Sequence, residues 1–391
     1  MASAPEVTLA AFLDEIGADE RRLPVQGTLE TTFRCNLSCV HCYVNEPAND
    51  AGAHRRELSL AELRHVVDEA VAAGCLHVLI TGGEALLRPD FPVLCLYAVR
   101  QGLRVTVFTN GTLVTDAIAD LFAEYPPHSV EVSLYGMTRE TYERVTGVPG
   151  SYDKCLAGIG RLRARGVPML LKTMALTWNA HEVEAMRDYA EGMGLRFKHD
   201  ALVNARVDCG ANRRGELQLG AAQAVQLQLS RPAALASFRR LCDETLAPEA
   251  VAARAPAEDV YTCGAGRSTF TVDPYGQLQM CQLSRRASYD LRQGSFADGW
   301  TRVFPALRSR KWQSNSVCRS CSLLPLCGNC PGAAELEHGN VEAVVERFCE
   351  ITHLQAFTAR GAVDGHRRDA SCCLGPAARA AAGEAAPAPT A

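Results

Sequence analysis

Three cysteines within eight residues, Cys35, Cys39 and Cys42 in the stretch TTFRCNLSCVHCYVNEP, point most directly to chemistry. A structural zinc site is closed by four ligands, so three neighbouring thiolates serve zinc only if a distant residue completes the set. The same three can each take one iron of a four-iron cluster and leave the fourth iron open. Ferredoxin clusters carry a cysteine on every iron, so an open iron implies room for a substrate ligand, and reaction rather than electron storage. Further candidates follow later in the chain: Cys263, Cys281, Cys318, Cys321, Cys327, Cys330 and Cys349, among which two C-x2-C pairs occur. Such pairs suit a zinc ribbon as well as iron–sulfur ligation.

The elements that must position these residues read as an alternation. From about residue 26 to 205, short apolar or β-branched runs (GTLETTF, HVLIT, RVTVFT, SVEVSLY, MLLKTMAL, LRFKHD) are separated by helical segments, the pattern of a parallel sheet with crossover helices. Ser59 and Glu62 form a capping-box pattern before LAELRHVVDEAVAAG, a helix that Gly74 should end. Residues 219–260 are rich in Ala, Leu and Gln and read as a helical bridge. In STFTVDPYGQLQMC the turn signal Asp273-Pro274-Tyr275-Gly276 between alternating runs predicts a hairpin. The Ala/Pro-rich end is expected to be disordered, largely after 375.

Composition bounds the possibilities. At 391 residues, with 47% apolar and 21% charged, the chain has the balance of a soluble globular protein larger than one small domain. A formal net charge of −4 and a pI near 6.2 leave no basic footprint for nucleic acid. The N-terminal segment, 1–25, lacks the charged-then-apolar layout of a signal peptide, and no run of about 18 apolar residues occurs, so a cytoplasmic protein without a membrane anchor is expected. Seventeen cysteines in a reducing compartment argue for metal binding rather than disulfides. Cys75, Cys95, Cys155, Cys209, Cys242, Cys372 and Cys373 lie outside the clustered spacings and read as small hydrophobes without chemistry.

The triplet resembles the signature of the radical S-adenosylmethionine (radical SAM) enzymes, and the neighbouring motifs agree in kind and order. The resemblance implies an α/β fold: a partial (β/α)6 TIM-like barrel over 26–218, with the site at the C-terminal ends of the strands. It implies a [4Fe-4S] cluster on Cys35, Cys39 and Cys42 whose open iron chelates S-adenosylmethionine. Thr81-Gly82-Gly83-Glu84 resembles the family's GGE motif for the methionine amino group, with Ala85 where Pro is usual. Thr109-Asn110-Gly111 resembles its TNG segment. Ser133 matches a serine near the ribose, although Tyr135 stands where many members have Asp, and Arg144 falls where an Arg pairs with the methionine carboxylate. Lys172 and Asn204 are weaker candidates at later strand ends, and His41 and Tyr43 should pack beside the cluster or adenine.

Residues 261–350 resemble the SPASM extension, which binds auxiliary four-iron clusters. That resemblance assigns one cluster to Cys318, Cys321, Cys327 and Cys349, and a second, with only three thiolates, to Cys263, Cys281 and Cys330; a tail of 351–391 follows. Two residues separate Cys327 from Cys330 where the pattern usually has three. The implied activity is reductive cleavage of S-adenosylmethionine to a 5′-deoxyadenosyl radical, and the leading substrate is a ribosomally made peptide. An electron donor such as flavodoxin or ferredoxin, and a separate peptide-recognition protein, are the partners such a reaction needs. Modification of a tetrapyrrole or other cofactor precursor is the second reading, since CNLSCVHCY also resembles radical enzymes of haem biosynthesis. Sulfatase-type maturation fits less well, because those enzymes usually have eight auxiliary cysteines. A non-catalytic iron–sulfur scaffold or electron carrier is the reading of another class, and would have no use for a SAM pocket.

Overall fold

Runs of aliphatic and β-branched residues, several buried on both faces, make the central sheet of this computed structural model, which describes residues 9–44, 46–208, 213–253 and 257–373. The expected disorder after 375, and Cys209, lie outside the described residues. The strands are β1 (Gln26–Glu30), β2 (His77–Thr81), β3 (Arg104–Thr109), β4 (Ser129–Ser133), β5 (Met169–Met174), β6 (Arg196–Asp200), β7 (Thr269–Val272), β8 (Gln277–Cys281) and β9 (Ser284–Asp290). Their order is β9-β8-β7-β1-β2-β3-β4-β5-β6. From β1 to β6 every neighbouring pair is parallel and in chain order, as repeated strand–helix units require.

The intervening helices are α1 (Leu60–Ala72), α2 (Phe91–Arg100), α3 (Asp116–Glu124), α4 (Arg139–Thr146), α5 (Ser151–Ala164) and α6 (Val183–Gly192). In α1 the stripe Leu63, Val66, Val67, Ala70 is buried, and the capping box predicted at Ser59 and Glu62 is formed. Gly74 and Gly147 take left-handed φ just past α1 and α4, which ends both helices.

Two compact units result: one contains residues up to Leu217 together with Cys263–Ser309, the other Gln218–Thr262 with Arg310 onward. The first unit therefore takes back a late segment. Strand β7 pairs parallel with β1, and β7, β8 and β9 form an antiparallel meander through the predicted turn at Asp273. At the register Gly27↔Phe270 a Cβ on Gly27 would run into the Phe270 ring, so this close strand approach depends on glycine. Phe270 packs edge-on against Phe296 at 4.8 Å, beside Trp300.

The second unit is helical, with α7 (Ala221–Leu229), α8 (Pro232–Thr245), α9 (Pro331–His338) and α10 (Glu346–Arg360). Cys242, Leu246, Leu323 and Ala356 form its core. The buried Glu342 carboxylate accepts from the backbone N–H groups of Gln313 (3.1 Å) and Ser314 (2.8 Å), holding the cysteine-bearing loop against the approach to α10. Cys75, Cys95, Cys155 and Cys242 are buried, as expected of small hydrophobes. Among the described residues no helix is long and apolar enough to cross a membrane.

Candidate active site

The triplet sits in the loop that leaves β1. Its first residues are braced from several sides: Thr31 N–H donates to the Thr81 carbonyl (2.9 Å), and the Thr32 hydroxyl bonds Glu57. The Arg34 guanidinium forks onto both Glu57 oxygens (2.8 and 3.0 Å), while Arg88 donates to the Thr31 and Leu58 carbonyls (3.2 and 3.0 Å). A buried Arg–carboxylate pair with such geometry fixes position well, provided its remaining donors are also satisfied. Further along, Ser38 N–H and Val40 N–H donate to the Thr146 and Val145 carbonyls (2.9 and 3.0 Å), tying the loop to the end of α4.

The Gly82-Gly83-Glu84 turn at the end of β2 lies flat against this loop. Gly83 N–H donates to the Thr32 carbonyl (2.6 Å) and Glu84 N–H to the Arg34 carbonyl (3.0 Å). Gly82 has φ 139°, and a Cβ on either glycine would strike a carbonyl oxygen of the 32–34 segment. The glycines thus serve the approach of two protein backbones, a use additional to the approach of a ligand.

Glu84 is the hub. Its carboxylate accepts from Leu86 N–H (3.1 Å), the Thr109 hydroxyl (2.9 Å) and Asn110 N–H (2.7 Å), and burial pushes it up to about 7. A carboxylate offers about four acceptor positions, so three internal donors leave room for one more. Asn110 then reaches the triplet: its Nδ2 lies 3.8 Å from Cys35 Sγ and donates to Asn36 Oδ1 (3.0 Å). The GGE turn, the TNG segment and the first cysteine are therefore one hydrogen-bonded assembly.

Burial, with Glu84 and Cys42 nearby, pushes the Cys35 thiol up to about 12, and burial with its two triplet partners raises Cys39 as well. Thiolates in this loop need a cation to neutralise them, which is what an iron cluster provides. Three thiolates can each take a separate iron of a cluster, whereas a closed zinc site asks for a fourth ligand, so the donor set fits a cluster.

Ser133 ends β4 close to Tyr135, which meets the His41 ring at 4.9 Å. Burial lowers His41 to about 4, so it packs here as a neutral ring. Arg144, on α4, lies with its guanidinium 4.1 Å over Trp178 and makes no ion pair among the described residues. Tyr43 lies beside Gln282 (3.3 Å). Lys172 occupies the fourth position of β5 rather than its end, 3.6 Å from Glu131, which Lys198 also approaches at 3.1 Å. Asn204 follows β6.

Several contributors escaped the sequence reading. Arg34, Asn36, Glu57 and Arg88 position the loop, and only the placement of Arg34 and Asn36 inside the cysteine motif hinted at them. Glu30, the last residue of β1, is fully buried and paired with Arg285 through two 2.8 Å contacts. Arg285 Nε and Nη1 have no hydrogen-bond partner among the described residues. Cys263 and Cys281 belong to the first unit; Cys318, Cys321, Cys327, Cys330 and Cys349 belong to the second. There Cys321 raises the Cys318 thiol, and Cys318 and Cys321 raise Cys327, in each case secondary to burial, while Cys321 is itself raised first by a hydrogen bond it donates to Cys373 and then by burial. The Cys330 thiol caps α9 by accepting from Ala333 N–H at 3.4 Å. Cys372 and Cys373, read as chemically idle, are instead gathered with His353 and His366.

Comparison with known proteins bears on the family and the fold. The family model described as "Radical SAM superfamily" matches residues 29–190. The chain is 30% identical over 349 residues to the Fe-coproporphyrin III synthase of Methanosarcina barkeri, covering 80% of this chain and 84% of that protein. It spans about half (48%) of the AdoMet-dependent heme synthase of the same organism, at 34% identity over 44% of this chain. With the PqqA peptide cyclase of Rhizobium meliloti it shares 26% identity over 77% of this chain and 80% of that one. The fold matches the crystal structure of Streptococcus suis SuiB bound to precursor peptide SuiA, with a TM-score of 0.63 at 17% identity, covering 88% of this chain and 82% of that chain.

Proposed function

We propose, for a chain that belongs to the radical SAM superfamily and is an enzyme of that family, that it modifies a ribosomally made peptide. The family implies a [4Fe-4S] cluster and S-adenosylmethionine, which when bound supply a 5′-deoxyadenosyl radical, by reductive cleavage, for hydrogen abstraction from the substrate. The observation that carries the reading is the continuous path Glu84–Asn110–Cys35, which joins the cluster loop to the turn proposed to receive the methionine amino group. Gly82 and Gly83 keep that turn on the loop, Glu84 takes the ammonium group at its remaining acceptor position, and Thr109 and Asn110 hold Glu84 in place. Ser133 faces the ribose, and Arg144 offers an uncommitted guanidinium to the methionine carboxylate.

Support for a peptide comes from the likeness to PqqA peptide cyclase over three quarters of the chain. In the second unit Cys318, Cys321, Cys327 and Cys349 hold an auxiliary [4Fe-4S] cluster. A flavodoxin or ferredoxin supplies the electron, and a separate recognition protein delivers the peptide. Modification of a tetrapyrrole is the second reading, favoured by the likeness to Fe-coproporphyrin III synthase.

The deciding experiment measures 5′-deoxyadenosine release by anaerobically reconstituted, dithionite-reduced protein, with the Cys35→Ala/Cys39→Ala/Cys42→Ala variant as control. Release that depends on the triplet is expected. Stimulation by candidate precursor peptides supports the first substrate reading, stimulation by any of a panel of iron tetrapyrroles the second, and release unchanged in the triple variant removes the site assignment.

A further inference from the structure

The four side chains His353, His366, Cys372 and Cys373 form a group whose ligand atoms all lie within 4.8 Å of one another. None belongs to the cysteine sets discussed above. The six separations among the four atoms describe a small tetrahedron. His353 Nε2 to His366 Nδ1 is 2.9 Å, and Cys372 Sγ to Cys373 Sγ is 3.6 Å. The four mixed edges are 3.4, 3.6, 3.5 and 3.8 Å. Zinc with bonds of about 2.05 Å to nitrogen and about 2.3 Å to sulfur makes tetrahedral edges of about 3.3 Å between nitrogens and about 3.8 Å between sulfurs, with mixed edges between these values. The observed edges lie close to these values: the mixed edges bracket theirs, the sulfur pair is shorter by about 0.2 Å, and the nitrogen pair must open by a few tenths of an ångström.

Both imidazoles are held with the correct nitrogen turned inward. His353 Nδ1 is 2.8 Å from the Cys349 carbonyl, which can only accept, so Nδ1 carries the proton and Nε2 presents its lone pair. His366 Nε2 is 2.9 Å from the Ser322 hydroxyl, leaving Nδ1 for the centre. Metal-bound histidines are oriented in just this way, by a partner on the other ring nitrogen. A two-iron centre with two cysteines and two histidines would place the pairs on different irons. Six short edges mean one ion.

We propose that these residues bind a single zinc ion in a closed, structural His2Cys2 site. Two thiols lose their protons on binding, so zinc entry releases two protons to solvent. The site fastens the segment after α10 back onto that helix, and its outer partners, Ser322 and the Cys349 carbonyl, touch the backbone that carries Cys321 and Cys349. Cys373 also lies within hydrogen-bonding reach of the Cys321 and Cys349 thiols, so its competing assignment is as an iron ligand.

The test uses the full chain purified anaerobically with zinc and iron supplied, read by metal analysis and by X-ray absorption at the zinc edge, which iron does not obscure. About one zinc per chain in a shell of two nitrogens and two sulfurs is expected. His366→Ala should lose the zinc while the iron content stays unchanged. His366→Cys retains four donors and should retain the zinc, its shell moving to one nitrogen and three sulfurs. Iron-loaded protein without zinc, an all-sulfur zinc shell in the wild type, or a shell unmoved in His366→Cys would each overturn the proposal.

Discussion

Lys172 is a lysine held in surroundings that disfavour its charged form. Burial, only partly offset by Glu131 and reinforced by Lys198, lowers it to about 7. Its unfolded value is about 10.4, so between these limits the unfolded chain binds more protons and stability rises with pH. Lys172→Met should be more stable than the wild type at pH 7, by on the order of 2–4 kcal/mol, with the difference shrinking toward pH 10. Urea melts across that range check it, and a difference independent of pH would refute the cause given. Arg144→Ala should weaken S-adenosylmethionine binding about tenfold, the scale of one charge-assisted contact, measured by equilibrium dialysis. Arg144→Gln/Trp178→Ala would then separate the charge from the stacking on Trp178. At this scale the sequence was readable where chemistry is written in spacing, as in Cys35, Cys39 and Cys42. It was unreadable where a residue's role depends on who approaches it: nothing local to Arg88 or Glu57 foretells that they brace Thr31 and Arg34, and Cys372 has no meaning until His353 faces it.

Among the elements, the turn between β2 and the helical segment after it is the least tolerant. Gly82→Ala places a methyl group against the Thr32 carbonyl at φ 139°, where the strain cannot be shed into a flexible side chain. A loss on the order of 2–4 kcal/mol is expected, with a lowered Tm and impaired iron loading at the triplet. Gly160→Ala is the control. It lies within α5 with open space around its Cβ, and should hold or raise stability by about 0.5–1 kcal/mol. Strands β1 to β6 and the capping box were legible because period and caps are local signals. The contact that makes Gly82 and Gly83 obligatory was not, since it joins loops some fifty residues apart.

For the whole molecule, the division into two units sets what the metal centres owe one another. The triplet belongs to the first unit and Cys318, Cys321, Cys327 and Cys349 to the second. The Cys35→Ala/Cys39→Ala/Cys42→Ala variant should therefore retain about four irons per chain, the content of one [4Fe-4S] cluster; complete loss of iron would mean that the second unit does not bind metal by itself. The alternation of the first two hundred residues announced a parallel α/β core, yet no local pattern reveals that Cys263–Ser309 joins the same sheet. The pairing of β7 with β1 has a further consequence during synthesis. Gln26 and its partner Thr269 are separated by about 240 residues, which at about 5–20 residues per second is roughly 12–50 seconds of translation. Throughout that interval one side of β1 has no neighbour to hydrogen-bond. The nascent chain thus carries a bare strand edge of the kind that invites wrong pairing, and its safe arrival depends on chaperones or on a slow collapse of the barrel until the ribosome delivers the closing strand.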